Sequence, residues 1–262
     1  MMRSINVSYL IRKNKFIISH TNAVENQQTD RAAVKIRSAL TYLNFWNSQE
    51  TNTIKILNKS FRSDSEGSFV RMLSTRIPDG HGLHLANSLS VRYANLFGIE
   101  KSSRSVFVFS NRGTSGIDGC SSTTVGHQLA GVRNNILITG DTAFFYDRNA
   151  FWHNYPLPGL RIVVLNNQGG RIFGIIDGPK NRKEAGKYFI VKQTLQAASV
   201  AKEFGFRYYK CTAGDNHDKQ INDFFEQSDK PKLLEFICDP VLDKTDYEKF
   251  IIELKSKYET AI

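Results

Sequence analysis

The residues most able to do chemistry together are Asp141, Asn167 and Gly169, in the strings Gly140-Asp141 and Asn166-Asn167-Gln168-Gly169-Gly170. An aspartate carboxylate, an asparagine amide oxygen and the carbonyl of a glycine turn make an incomplete shell of oxygen donors. Such a shell suits Mg²⁺, which keeps several waters and takes its remaining ligands from phosphate oxygens. Each residue also has an ordinary structural use, Asp as a helix N-cap and Asn-x-Gly as a turn. The elements around them therefore matter. The pattern predicts a strand over 135–139, a tight Gly-Asp turn, a helix of roughly three turns, a Pro-bearing loop and a strand over 160–165. Two such strands bring both turns to one end of a sheet, where open α/β sheets bind ligands. The amino end of the intervening helix would offer free N–H groups to an anion.

Alternation continues on either side. Helices are expected over 68–75, through Arg92, after the Gly-rich turn at 111–119, and over 192–204 and 219–227; strands are expected over 83–86, 106–109, 206–209 and 233–238. In the last helix Tyr247, Phe250, Ile251, Leu254 and Tyr258 fall on a single stripe. The fold class is α/β, a mostly parallel sheet with helices on both faces. We divide the chain into a helical or irregular lead-in, 1–65, and a main domain, 66–262. Asn87-Ser88, Asn111-Arg112-Gly113 and Gly140-Asp141 each follow a strand, so three polar loops should converge on one sheet edge.

A Gly-Asp pair closing into Asn-Asn resembles the diphosphate and metal motif of thiamine-diphosphate enzymes, with Thr142 where a Gly is usual. ANSLSVR (86–92), SNRGTSGIDG (110–119) and GD…NN-x-GG-x-IF (140–173) narrow this: from about residue 70 to 258 the chain resembles the 2-succinyl-5-enolpyruvyl-6-hydroxy-3-cyclohexene-1-carboxylate synthases of menaquinone biosynthesis. The resemblance implies a thiamine-diphosphate-binding fold of the diphosphate-binding (PP) type. It implies that Mg²⁺ or Mn²⁺ is held by Asp141, Asn167 and the Gly169 carbonyl, and that Gly140, Thr142 and Ala143 lie with them against the cofactor. Ile117 would be the apolar wedge that keeps thiamine diphosphate bent. Asn87, Ser88, Arg92 and Arg112 would meet substrate carboxylates, with Ile172 and Phe173 walling the pocket. Arginine suits that role, because its planar fork pairs both oxygens of a carboxylate.

The implied reaction is decarboxylation of 2-oxoglutarate and addition of the resulting succinyl carbanion to isochorismate. Family members are more than twice as long, and their pyrimidine-binding domain supplies the glutamate that activates the cofactor. That domain would come from another chain or from a missing amino-terminal part, so no catalytic residue is assigned and the isolated chain is expected to be inactive. The full-length enzyme would be a homo-oligomer, dimer or tetramer. Two alternatives stand beside this: one subunit of a split thiamine-diphosphate 2-oxoacid decarboxylase, or an inactive cofactor-binding remnant.

Composition narrows the remaining classes. Of a net charge of +10, the first sixty residues contribute +6, with nine Lys/Arg against three Asp/Glu. The short run Arg12, Lys13, Lys15 lacks the interleaved aromatics of a nucleic-acid surface. No window approaches the ~18 apolar residues of a membrane span, and the start of the chain lacks a secretory pattern. Three widely spaced cysteines form no disulfide framework. A cytoplasmic protein is expected, with neither nucleic acid nor membrane as partner.

Overall fold

The structure, a computed structural model, describes residues 28–98, 105–113, 115–131 and 133–259, so the Arg12–Lys15 run lies outside the described residues. Helix α1 (Gln28–Ser60) and α2 (Glu66–Ser74) come first. Strands and helices then alternate as β1 (Gly82–Leu85), α3 (Leu89–Phe97), β2 (Phe107–Ser110), α4 (Cys120–Leu129), β3 (Asn135–Gly140), α5 (Asp141–Tyr146), β4 (Arg161–Asn166), α6 (Ala197–Glu203), β5 (Arg207–Thr212), α7 (Asp218–Phe225), β6 (Lys232–Ile237) and α8 (Pro240–Glu259). The six strands form one sheet in the order β2-β1-β3-β4-β6-β5, every pair parallel. All strand carboxyl ends therefore lie along one edge.

The central strands carry near-continuous apolar runs, as strands covered on both faces must. Ile136 to Ile138, Ile162 to Leu165, and Leu233, Leu234 and Phe236 are all buried. Leu137, Ile162, Val164 and Leu233 pack on one face with Phe144, Phe151, Val200 and Phe206. By strand parity Phe236 points to the other face, where Phe69 of α2 stacks on it with ring centroids 4.0 Å apart. Two buried cations secure the amino ends of β4 and β6. Arg161 and Lys232 face each other in register and meet carbonyls at the end of α7: Arg161 Nε donates to Phe224 O at 2.8 Å and its Nη2 to Glu226 O at 2.7 Å, and Lys232 Nζ donates to Glu226 O at 2.9 Å. Helix carboxyl ends present orphan acceptors and partial negative charge, so cations there are favoured.

Three local expectations change. The turns after Gly140 are divided, because Asp147 leaves helical dihedrals (φ −105°, ψ 23°) and its carboxylate accepts from Ser122 N and Oγ at 2.8 and 2.6 Å; a 3₁₀ turn, Arg148–Phe151, follows. The helix expected over 192–204 begins only at Ala197, since Gln193 sends its side chain to Asp141 and Asn166. The stretch before it contains 3₁₀ turns at Arg171–Gly174 and Pro179–Asn181 and a π-helical turn at Ala185–Ile190, none of which the sequence pattern announced.

The chain divides into two compact units, one of residues up to Ser60 with those from Phe250 on, the other Phe61–Lys249. Within the first, Tyr258 Oη lies 3.1 Å from both Thr53 Oγ1 and the Gln49 carbonyl, and Lys59 lies 3.8 Å from Glu253. The second holds the whole sheet.

Candidate functional site

The chain goes from β1 to β2 on one side and then crosses to β3 on the other, so a topological switch point lies between β1 and β3. Ligands of open α/β sheets bind outside the strand carboxyl ends at such points. The loops there hold Asn87-Ser88, Asn111-Arg112, Gly140-Asp141 and Asn167. Backbone strain gathers in the same loops. Among the described residues, the non-glycine residues at positive φ are Ser88 (78°), Ser115 (58°), Gln168 (62°) and Val191 (48°). The first three follow β1, β2 and β4, and the Val191 carbonyl packs on Gly169. Such conformations cost energy and concentrate at functional sites.

Asp141 is buried at the first position of α5. Its Oδ1 accepts from Thr142 N (2.7 Å) and Thr142 Oγ1 (3.3 Å), and its Oδ2 accepts from Gly169 N (2.8 Å) and from Gln193 Nε2. The hydroxyl of Thr142, where the motif usually has Gly, is thus tied to Asp141. This also means that the amino end of α5 is partly capped by its own carboxylate. Burial raises the Asp141 pKa, and these hydrogen bonds pull it back. No lysine or arginine pairs with it among the described residues. Asn167 is buried, and its Oδ1 has no hydrogen-bond partner. Gly169 has φ +135°, and a Cβ there would sit 2.6 Å from the Ile190 carbonyl oxygen, so the turn requires glycine. Gly140 and Thr142 are half-buried and Ala143 is buried beside them. An unpartnered buried amide oxygen, a buried carboxylate without a counter-cation and a glycine-only carbonyl turn are oxygen donors that fit a hard divalent cation.

The residues expected to meet substrate also come together. Asn87 is buried and ties two loops: its Nδ2 donates to Asn111 O at 2.8 Å and to Gly116 O, and its Oδ1 accepts from Arg112 Nη1 at 3.2 Å. Arg92 Nη1 donates to the Ser88 carbonyl at 2.8 Å. Burial lowers the Arg92 pKa; Tyr247 opposes this and the neighbouring Arg112 adds to it. Neither arginine forms an ion pair with a carboxylate among the described residues. Ile117 is half-buried in the loop between β2 and α4, Ile172 is buried, and half-buried Phe173 lies 5.8 Å from the Phe189 ring.

Two residues at the site escaped sequence reasoning. Glu66, almost fully buried at the start of α2, accepts from Asn167 Nδ2 at 3.1 Å (Oε2) and 3.4 Å (Oε1). Its own N–H donates to Asp243 Oδ1 at 2.8 Å. Burial and then Asp243 raise the Glu66 pKa, and the Asn167 hydrogen bond opposes them; Asp243 itself is raised to about 6, chiefly by burial. In sequence Ser65-Glu66 reads as a plain helix start, with Ser65 Oγ accepting from Ser68 N. Gln193 carried no signal at all, since its role depends on where the segment after β4 folds back.

No family model matches the sequence. Among curated proteins the chain is 39% identical over 236 residues to the 2-succinyl-5-enolpyruvyl-6-hydroxy-3-cyclohexene-1-carboxylate synthase of Cytophaga hutchinsonii, which covers 89% of this chain and 42% of that protein. It is 44% identical over 160 residues to the synthase of the same name from Christiangramia forsetii, covering 61% of this chain and 27% of that one. The chain belongs to this synthase family. It spans less than half the length of the curated relatives it matches. The fold agrees with a solved structure described as a thiamin diphosphate-dependent enzyme from Mycobacterium smegmatis, at 21% identity and a TM-score of 0.50, over 67% of this chain and 32% of that one.

Proposed function

We propose that this chain is the diphosphate- and metal-binding portion of a thiamine-diphosphate-dependent synthase of menaquinone biosynthesis, acting on 2-oxoglutarate and isochorismate. The observation that carries the substrate class is the pair Arg92 and Arg112. Both are tethered to the Asn87-Ser88 turn, neither has a carboxylate partner among the described residues, and Arg112 raises the cost of the Arg92 charge. Two unneutralised guanidinium groups at one switch point call for anionic ligands, and planar carboxylates match their fork geometry. Asp141, Asn167 and the Gly169 carbonyl would hold Mg²⁺ or Mn²⁺, with Gly140, Thr142 and Ala143 against the diphosphate and Ile117 supporting the bent cofactor. Ile172 and Phe173 would wall off water. The chemistry supplied by bound thiamine diphosphate is stabilisation of the charge left when a 2-oxo acid loses carbon dioxide.

The carboxylate that activates the cofactor is assigned to a pyrimidine-binding domain outside this sequence, a reading supported by the greater length of the relatives. The assembled enzyme is proposed to be a cytoplasmic homo-oligomer; no helix among the described residues is long and apolar enough to cross a membrane. The test is calorimetry of Mg²⁺ with and without thiamine diphosphate, followed by a 2-oxoglutarate decarboxylation assay with and without a separate pyrimidine-domain chain. Linked binding of metal and cofactor, with turnover only in the mixture, is expected. Equal Mg²⁺ affinity with and without the cofactor refutes the site; turnover by the chain alone at ~1 s⁻¹, an ordinary enzyme rate, refutes the missing-domain reading.

A further inference from the structure

An asparagine can act as a cation ligand only through its oxygen, yet its amide can rotate to present either end. The buried Asn167 amide is held one way round. Its Nδ2 faces both oxygens of Glu66, at 3.1 and 3.4 Å, while Oδ1 has no partner. An ionised carboxylate can only accept, so it can face only the NH₂ end of the amide. Glu66 itself is fixed from three directions. Ser65 caps α2, Asp243 Oδ1 takes the Glu66 N–H at 2.8 Å, and Phe69, one turn along, is stacked on β6. Two further side chains lie beside its carboxylate: Cys238, whose Sγ is 4.0 Å from Oε2, and Asp243, which offers a carboxylate oxygen within 4.8 Å. A carboxylate buried to 1% exposure is costly to keep, and among the described residues its single close N–H partner is the amide of the proposed cation ligand.

We propose that Glu66 is a positioning residue that locks the Asn167 amide with its oxygen presented to a divalent cation. This rests on the metal site proposed above. Partners that orient ligands in this way typically change metal affinity by about 10–100-fold when removed.

The experiment has two arms on the full chain. In the first, side-chain amide NMR without ligand follows the Asn167 NH₂ group, assigned by its loss in N167D. Exchange protection is expected in the wild type and should fall by at least tenfold in E66A; a wild-type NH₂ that exchanges as fast as an exposed asparagine overturns the proposal. In the second, calorimetry measures Mg²⁺ binding in the presence of thiamine diphosphate. E66Q keeps the shape but can face Asn167 with either end, and should weaken binding by about tenfold or more. The double variant E66Q/N167D should restore it to within a few-fold, because the introduced aspartate must accept from the introduced glutamine and still offers an oxygen to the cation. A general structural defect would not be rescued in this way. Unchanged affinity in E66Q, or no rescue in the double variant, overturns the proposal. If the wild type binds no Mg²⁺ with the cofactor, the proposed function fails, and the amide exchange still decides the orientation by the outcomes given for the first arm.

Discussion

Replacing Glu235 tests how the asparagine pair is held in place. Glu235 is fully buried on β6, and its carboxylate accepts three donors: Asn166 Nδ2 at 2.7 Å, Ala197 N at 2.9 Å and Tyr208 Oη at 2.5 Å. It thus joins the end of β4, the first turn of α6 and β5. Burial and this contact together raise the Tyr208 pKa. In Glu235→Ala, Ala197 N and Tyr208 Oη lose their acceptor inside the protein and Asn166 Nδ2 keeps only the Leu195 carbonyl at 2.9 Å; each orphaned group costs about 1–3 kcal/mol. The sum is not additive and some donors will find water, so the expected loss is about 4–6 kcal/mol, a large share of the 5–15 kcal/mol typical of a domain. Glu235→Gln keeps one oxygen for Asn166 and Ala197, while its NH₂ can donate to Tyr208, so it should cost only about 1–2 kcal/mol. Urea unfolding with fluorescence and circular dichroism gives both values. Because Asn166 precedes Asn167, the alanine variant should also lose metal-linked cofactor binding. A Glu235→Ala loss under about 1 kcal/mol, within the range of ordinary surface changes, would refute the claim that this carboxylate organises the turn.

Further outcomes are expected at three other places. His84 is buried with Nε2 2.9 Å from His127 Nδ1, and burial, then His127, lower its pKa to about 4. A lowered histidine pKa favours the neutral folded state, so its contribution is full above pH ~6.5 and fades towards pH 4, by about 3 kcal/mol in all; Tm measured from pH 7.5 to 4 should fall accordingly, and His84→Gln should flatten that slope. Gly169→Ala meets both the Ile190 carbonyl at 2.6 Å and a φ of +135°, so a loss of about 2 kcal/mol or more is expected in urea unfolding, with weakened cofactor binding. In a reconstituted enzyme, Arg92→Lys or Arg112→Lys should lower kcat/KM by one to two orders of magnitude, about 1.4–2.8 kcal/mol. Wild-type kinetics in both would place these arginines outside the substrate site.

The sequence by itself determined the sheet and put the candidate site residues at its strand ends. Parallel strands covered on both faces must be written as apolar runs such as Ile162 to Leu165, and turns at their carboxyl ends need residues such as Gly140-Asp141 and Asn167 to Gly169, so both are local in the chain. Boundaries were less legible where a side chain leaves its element for a distant partner, as Asp147 does for Ser122 and Gln193 for Asp141. Only the tertiary structure decided which groups hold the site residues in place. Glu66 meets Asn167 across 101 positions because α2 stacks on β6, and Glu235 reaches Asn166 across 69 because β4 and β6 are neighbours in the sheet. A buried carboxylate leaves no mark in local periodicity. Its acceptors find their donors only when strand order and helix packing have brought them together.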